Sequence, residues 1–199
     1  PADIYKVLST PEGLKRAIDE VRVLAPHAVW WDNAAGAIAH LRSGQAAIAL
    51  AYSGRAFQEF ATTPAIATLW DGQVYDLNYW AVPKSARHKD AAWEFVAFAT
   101  APERLAATAR HFPYGPARRS AVGLVGRHAV LGIELASHLP TAPANMTRAL
   151  RFDAAWWAEN EARVTDLFNA MINETGAASA AVPGKAAPKT TAPPPKRVR

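Results

Sequence analysis

Apolar residues along this chain follow two spacings, and each predicts a different kind of element. Leu14, Ala17, Ile18, Val21 and Leu24 recur at intervals of three and four and share one helical face. Ser9 and Glu12 stand before that face at capping-box spacing, and Pro11 lies in the first turn, where its missing N–H costs nothing. Pro26 is expected to end this helix. Ala28–Trp31 reads as a short strand. Asp32 or Asn33 then caps a helix marked by Ile38 and Leu41, with Gly44 at its left-handed C-terminal position. The run from Ala47 to Tyr52 predicts a buried strand, and Ser53-Gly54-Arg55 a strand-to-helix turn. A second strand over Ile66–Trp70, a hairpin at Asp71-Gly72 and a return strand from Gln73 to Val82 follow, stopped by Pro83.

Helices dominate the remainder. Asp90 leads one that carries Trp93, Val96 and Ala97 on one face and Phe95 and Phe98 on the next. Pro102-Glu103 opens another, with Thr100 as its expected cap. Phe112-Pro113-Tyr114-Gly115-Pro116 is a turn or crossover, and 117–150 reads as short helices and loops broken at Gly132 and Pro140. Asp153 caps a long final helix with an apolar stripe of Trp157, Val164, Leu167, Phe168, Met171 and Ile172, ended by Gly176. Residues 177–199 hold five prolines and no aromatic residue, which predicts disorder. Strands alternating with capped helices predict an α/β class, although a core built only from these pieces is thin.

Composition changes this picture in two ways. Half of the chain is hydrophobic, but 45 of its 199 residues are alanine, so bulky apolar side chains are scarcer than that fraction suggests. The net charge of +5 resides in the tail: 176–199 holds five basic residues and no acid, leaving 17 basic and 17 acidic residues in 1–175. A neutral body gives no warrant for a nucleic-acid-binding domain. The absence of cysteine excludes disulfides, thiolate metal sites and a thiol nucleophile. No run approaches the roughly 18 consecutive apolar residues of a membrane span. The opening Pro1-Ala2-Asp3-Ile4-Tyr5-Lys6 has neither an initiator Met nor the features of a signal peptide, and is expected to be the interior of a longer chain.

Candidate chemistry is sparse. His27, His40, His88, His111, His128 and His138 are scattered, with no metal-ligand spacing, and neither a phosphate loop nor a nucleophile elbow is present. No enzyme activity, metal or cofactor is expected. Tyr75-Asp76-Leu77-Asn78-Tyr79-Trp80 stands out, because a carboxylate and an amide among aromatic rings suit a small organic cation through charge and cation–π attraction. An edge strand with a solvated face explains the same residues equally simply.

Asp76-Leu77-Asn78-Tyr79-Trp80-Ala81-Val82-Pro83-Lys84, then Lys89-Asp90-Ala91-Ala92-Trp93-Glu94-Phe95 and Pro102-Glu103, resembles the extracellular solute-binding proteins of ABC importers, closest to the spermidine/putrescine-binding type. Val29-Trp30-Trp31, Ala51-Tyr52-Ser53-Gly54-Arg55, Tyr114-Gly115-Pro116, Leu139-Pro140-Thr141-Ala142-Pro143 and Trp156-Trp157-Ala158-Glu159-Asn160 extend the resemblance in order over residues 2–173. It implies a two-lobed periplasmic binding protein fold of type II, here truncated so that most of the first lobe is missing. Residues 1–75 would belong to the second lobe, 76–112 to the first and 113–175 to the second again, with 176–199 as tail. It further implies a periplasmic location, ABC permease subunits as partners and a small amine or zwitterionic solute bound between the lobes.

Site positions implied by the resemblance are Tyr52, Asn78 and Tyr114, with Asp76 where some members carry Trp. Two departures matter: Asn78 is neutral where polyamine binders commonly place Asp, and Arg55 stands near a position that is acidic in some of them. Arg55 repels a dication but can grip a carboxylate through two N–H groups. Arg55 with Asp76 would then suit an ω-amino acid better than spermidine. A surface charge at a helix start is the alternative for Arg55, although the helix dipole gives a cation nothing there. The alternative for the whole chain is a truncated relic or an interaction module with a cationic tail and no solute.

Overall fold

The computed structural model describes residues 3–63 and 65–176. The tail expected to be disordered lies outside the described residues. In chain order the elements are α1 (Ile4–Leu8), α2 (Pro11–Leu24) with a 3-10 turn at Ala25–His27, α3 (Ala34–Arg42), α4 (Ser53–Thr62), β1 (Val74–Tyr75), α5 (Lys89–Ala99), α6 (Pro102–His111), α7 (Arg119–Val122), β2 (Leu150–Arg151) and α8 (Ala154–Thr175).

Helix ends follow local chemistry, sometimes one residue from where the sequence placed them. Thr10, not Ser9, caps α2: its Oγ1 accepts from the Gly13 N–H at 3.0 Å. Ser9 is engaged elsewhere, donating to the Tyr5 carbonyl at the end of α1 and accepting from Trp156 Nε1 at 2.9 Å. Asn33 Oδ1 caps α3 through the Ala35 and Gly36 N–H groups, and Asp153 Oδ1 caps α8 through those of Ala155 and Trp156. Thr100 does not cap α6; its hydroxyl donates back to the Val96 carbonyl and closes α5, leaving Ala101 at the start of α6. Likewise α5 begins at Lys89 rather than Asp90. On α8, Trp156 is buried, Trp157 is half-buried and Leu167 is exposed, so the stripe is shifted from the expected one.

The strands depart furthest from expectation. Among the described residues the only ladder is the parallel pair β1–β2, in register Val74↔Leu150 and Tyr75↔Arg151. The segments 28–31, 47–52, 66–70 and 76–82 run without ladder partners. Asp71-Gly72 does turn, with Gly72 at φ +73°, but its flanks do not pair as a hairpin, because β1 takes its partner from residues 150–151. Expected burial of 47–52 fails as well: Ile48 is 81% and Leu50 87% exposed. A strand is held by its neighbours, so an apolar run with no adjacent strand or covering layer stays in solvent. The class is therefore helix-rich α/β with a two-stranded remnant of sheet.

Two small cores carry the packing. Leu14, Ile18, Ala25, Met171 and Ile172 join α2 to α8, with Trp30 edge-on to Phe168 at 5.3 Å. Phe57, Ala106, Ala109, Val125, Leu135 and Leu139 join α4, α6 and the loops after α7. Between α3 and α4, Glu59 is only 2% exposed and meets Arg42 at 2.6 and 2.8 Å, while Thr63 donates to the same carboxylate. The hydrogen bond from Arg42 leads in holding the Glu59 carboxyl below its usual range, against the opposing effect of burial. Helix α5 buries none of its residues; Trp93, Phe95 and Phe98 all face solvent.

Candidate functional site

The start of α4 gathers three of the five sequence-predicted site residues. Tyr52 stands immediately before the helix and makes no capping hydrogen bond, so its ring is free to face outward. Trp31 lies edge-on to it at 6.4 Å. Tyr114 reaches the same place from the crossover after α6. A Cβ on Gly54 would lie 2.7 Å from Cε1, Cζ and the hydroxyl oxygen of Tyr114, so the missing side chain is what lets the ring rest on the helix. On the crossover itself, Gly115 is approached more closely still by Thr141, whose Oγ1 would sit 2.3 Å from an added Cβ.

Arg55, in the first turn of α4, is exposed, and its hydrogen-bond partner is Gln58, at a long 3.4 Å. It borders a cavity of about 550 Å³ between α4, the crossover at 111–114 and the loop at 128–131. Gln58, His111, Tyr114 and His128 share that cavity with Arg55, and no Asp or Glu lines it. A second hollow, of about 740 Å³ between α3 and α4, shares Arg55, Gln58 and Thr62 with the first and contains the Glu59–Arg42 pair.

Asp76 and Asn78 stay apart from this group. Both lie exposed on the extended segment after β1, and neither lines either cavity. Exposure alternates from Val74 to Asn78, as a strand pattern predicts, with Tyr75 and Leu77 turned inward. Asp76 Oδ1 accepts from the Leu77 N–H at 2.7 Å, which holds the carboxylate against its own backbone.

Sequence reasoning missed His128, His111 and Gln58 as neighbours of Arg55. His128 carried only a weak signal, a loop between Gly126 and Gly132, both at positive φ. Its ring stacks on Phe57 at 5.5 Å and 16°, while His138 meets Phe57 edge-on at 5.5 Å and Phe60 at 4.5 Å. Burial against these rings lowers the His138 pKa from its usual 6.5. Among the described residues no three acidic or imidazole side chains come together as a metal site.

Residues 2–125 match the family of bacterial extracellular solute-binding proteins, and the chain belongs to that family. It is 34% identical over 168 residues to the gamma-aminobutyric acid-binding protein of Pseudomonas aeruginosa, covering 84% of this chain and 46% of that one. Its structure is similar, with a TM-score of 0.64 and 25% identity, to the periplasmic binding protein MotA from A. tumefaciens B6, solved in complex with glucopine; the match covers 84% of this chain and 51% of MotA. The chain thus spans about half the length of the relatives it matches. Those relatives are solute-binding proteins rather than enzymes, and neither is named for a polyamine. Among the described residues no helix is long and apolar enough to cross a membrane.

Proposed function

We propose that this chain is part of the periplasmic solute-binding component of an ABC importer. It would supply one wall of an interlobe cleft and deliver a small amine-bearing solute to a membrane permease. Within the polyamine and ω-amino-acid range, the reading favours a zwitterion with a carboxylate at one end and an ammonium at the other. The observation that supports it is the grouping of Tyr52, Arg55 and Tyr114 at the start of α4, beside a cavity that contains no acid. Arg55 would hold the carboxylate, Tyr52 and Tyr114 would line the alkyl chain, and Asp76 with Asn78 would meet the ammonium. A gamma-aminobutyric acid-binding relative is in keeping with this charge pattern. In the same reading residues 1–75 and 113–175 form the second lobe, 76–112 crosses into the first, and closure of two lobes captures the solute.

The test is a thermal-shift screen of this chain joined to the complementary half of the family fold. A bound solute at about a hundred times its Kd stabilises the folded state by about 2.7 kcal/mol through mass action. ω-Amino acids are expected to raise the melting midpoint, and putrescine and spermidine are not. A larger shift with spermidine than with any ω-amino acid refutes the zwitterion assignment.

A further inference from the structure

We infer that the cavity between α4 and the 128–131 loop is a carboxylate subsite in which His128 donates a hydrogen bond alongside Arg55. This deepens the zwitterion reading above, and rests on it for the identity of the solute but not for the site itself.

The tautomer of His128 follows from its partners. Nδ1 accepts from the backbone N–H groups of Val130 and Leu131, at 3.2 and 3.1 Å. A nitrogen that accepts twice carries no hydrogen, so the neutral ring must carry its hydrogen on Nε2. Among the described residues Nε2 makes no hydrogen bond. A half-turn of the ring would put Cδ2 in place of Nδ1 and lose both backbone bonds, so these bonds fix the face on which Nε2 lies. His128 therefore lines the cavity as a donor in a fixed orientation.

Donors extend along the rest of the lining, where Thr62, His111 and Tyr114 can each donate or accept. Arg55 is bound only weakly, through Gln58, and that contact engages the Gln58 oxygen and leaves its NH₂ group free to donate. The N-terminal end of α4 has no side-chain cap, so the positive end of its dipole is unanswered. A guanidinium, an oriented imidazole N–H, an amide NH₂ and an uncapped helix end, with no carboxylate among them, select an anion. The volume of the cavity and its apolar members, Phe57 and Leu131, suit a carboxylate that brings a short alkyl chain.

Butyrate is the probe and butylammonium the control, because they share a chain and differ only in the charged end. The chain is titrated with each while the His128 ring nitrogens, the Arg55 Nε–H and the Val130 and Leu131 amides are followed by NMR. Butyrate is expected to move the His128 Nε2 and Arg55 Nε–H signals saturably, and butylammonium is not. His128→Asn keeps an acceptor close to the backbone but loses the Nε2 donor; it is expected to weaken butyrate about tenfold, the usual effect of one hydrogen bond to a charged group. Should that variant lose protection at the Val130 and Leu131 amides, the wild-type Nε2 signal decides alone. Equal responses to butyrate and butylammonium, no response to either, or butyrate binding that ignores His128 would each overturn the proposal. A response to butyrate without stabilisation by any ω-amino acid in the thermal-shift screen would overturn the solute assignment and leave the subsite standing. Stabilisation by an ω-amino acid without a His128 response would do the reverse.

Discussion

Gly54→Ala should separate stability from solute binding. The backbone at Gly54 is not among the positive-φ positions, so alanine adopts it without strain. Alanine in a helix is worth up to about 1 kcal/mol over glycine. Against that, the new Cβ lies 2.7 Å from the Tyr114 ring, and carbon atoms rest at about 3.5–4.0 Å, so the ring must retreat by roughly 1 Å. Tyr114 is exposed, and its ring edge is the far end of a flexible side chain, so it can swing into solvent. The two effects offset. The melting midpoint should move by no more than about 2–4 °C, the equivalent of about 1 kcal/mol at this length. Affinity for an ω-amino acid, measured by calorimetry on the two-lobed form, should fall about five- to tenfold, because one aromatic wall has left the alkyl chain. Gly115→Ala provides the contrast. Its Cβ would lie 2.7 Å from the Cβ of Thr141, an atom fixed to the backbone, so main chain must move. That should cost about 1–3 kcal/mol. If Gly54→Ala destabilises as much as Gly115→Ala, Tyr114 is a rigid structural element. If it leaves solute affinity unchanged, Tyr114 is no part of the site.

Arg55→Ala in the two-lobed form should weaken an ω-amino acid by tens- to thousandsfold, in line with about 2–5 kcal/mol for stranding a charge in a closed cleft, and should leave a diamine unchanged or better bound; calorimetry with both ligands checks this. Met171→Ala, at a fully buried position between α2 and α8, should cost about 2–5 kcal/mol by denaturant unfolding. Leu50→Ser, in contrast, should stay within about 0.5 kcal/mol in this chain, because Leu50 is already in solvent. For His138 the sign follows from its lowered pKa: the unfolded chain binds the proton more readily, so stability is highest above pH 6.5 and declines as pH falls below it toward the depressed folded value. The Glu59 carboxyl and that of Asp19 on α2, which is held below its usual range by the Lys15 hydrogen bond and by Arg22, titrate at lower pH and leave that window clear. His138→Phe should flatten the stability profile there; an unchanged slope would refute the assignment.

Helices were legible because their signals are local. A cap, a proline in the first turn and a repeat of three and four residues lie within one segment, and α2, α3, α5, α6 and α8 formed where such signals stood. At Ser9 two adjacent hydroxyls could serve α2, and at Thr100 one hydroxyl stood between the end of α5 and the start of α6, which a single spacing cannot decide. Strands failed for the opposite reason. Ala47–Tyr52 and Ile66–Trp70 have the composition of buried strands, but a strand needs partners distant in sequence, and among the described residues only 74–75 find a ladder partner, at 150–151. Leu50 in solvent and an α5 with no buried residue show the same thing: patterning reports what a segment is suited to bury, not whether a neighbour is there to bury it.

The site divides along the same line. Tyr52 and Tyr114 were proposed because their segments resemble family motifs, and Arg55 because it departs from the polyamine pattern. Their meeting depends on a missing atom: Gly54 lets the Tyr114 ring lie on α4. His128 was illegible because its donor orientation depends on two backbone N–H groups of a loop that no periodicity describes. The charge arrangement gains meaning from this asymmetry. Gln58 and His128 line the cavity with Arg55 within folded structure, while Asp76 and Asn78, the acceptors proposed for the ammonium of the solute, stand exposed on the unpaired segment after β1. A solute that needs both ends should therefore be recognised fully only when that segment is held against a second wall. This chain alone should hold a carboxylate weakly and show no micromolar affinity for an ω-amino acid; saturable micromolar binding by these 199 residues would refute the division of the site between two walls.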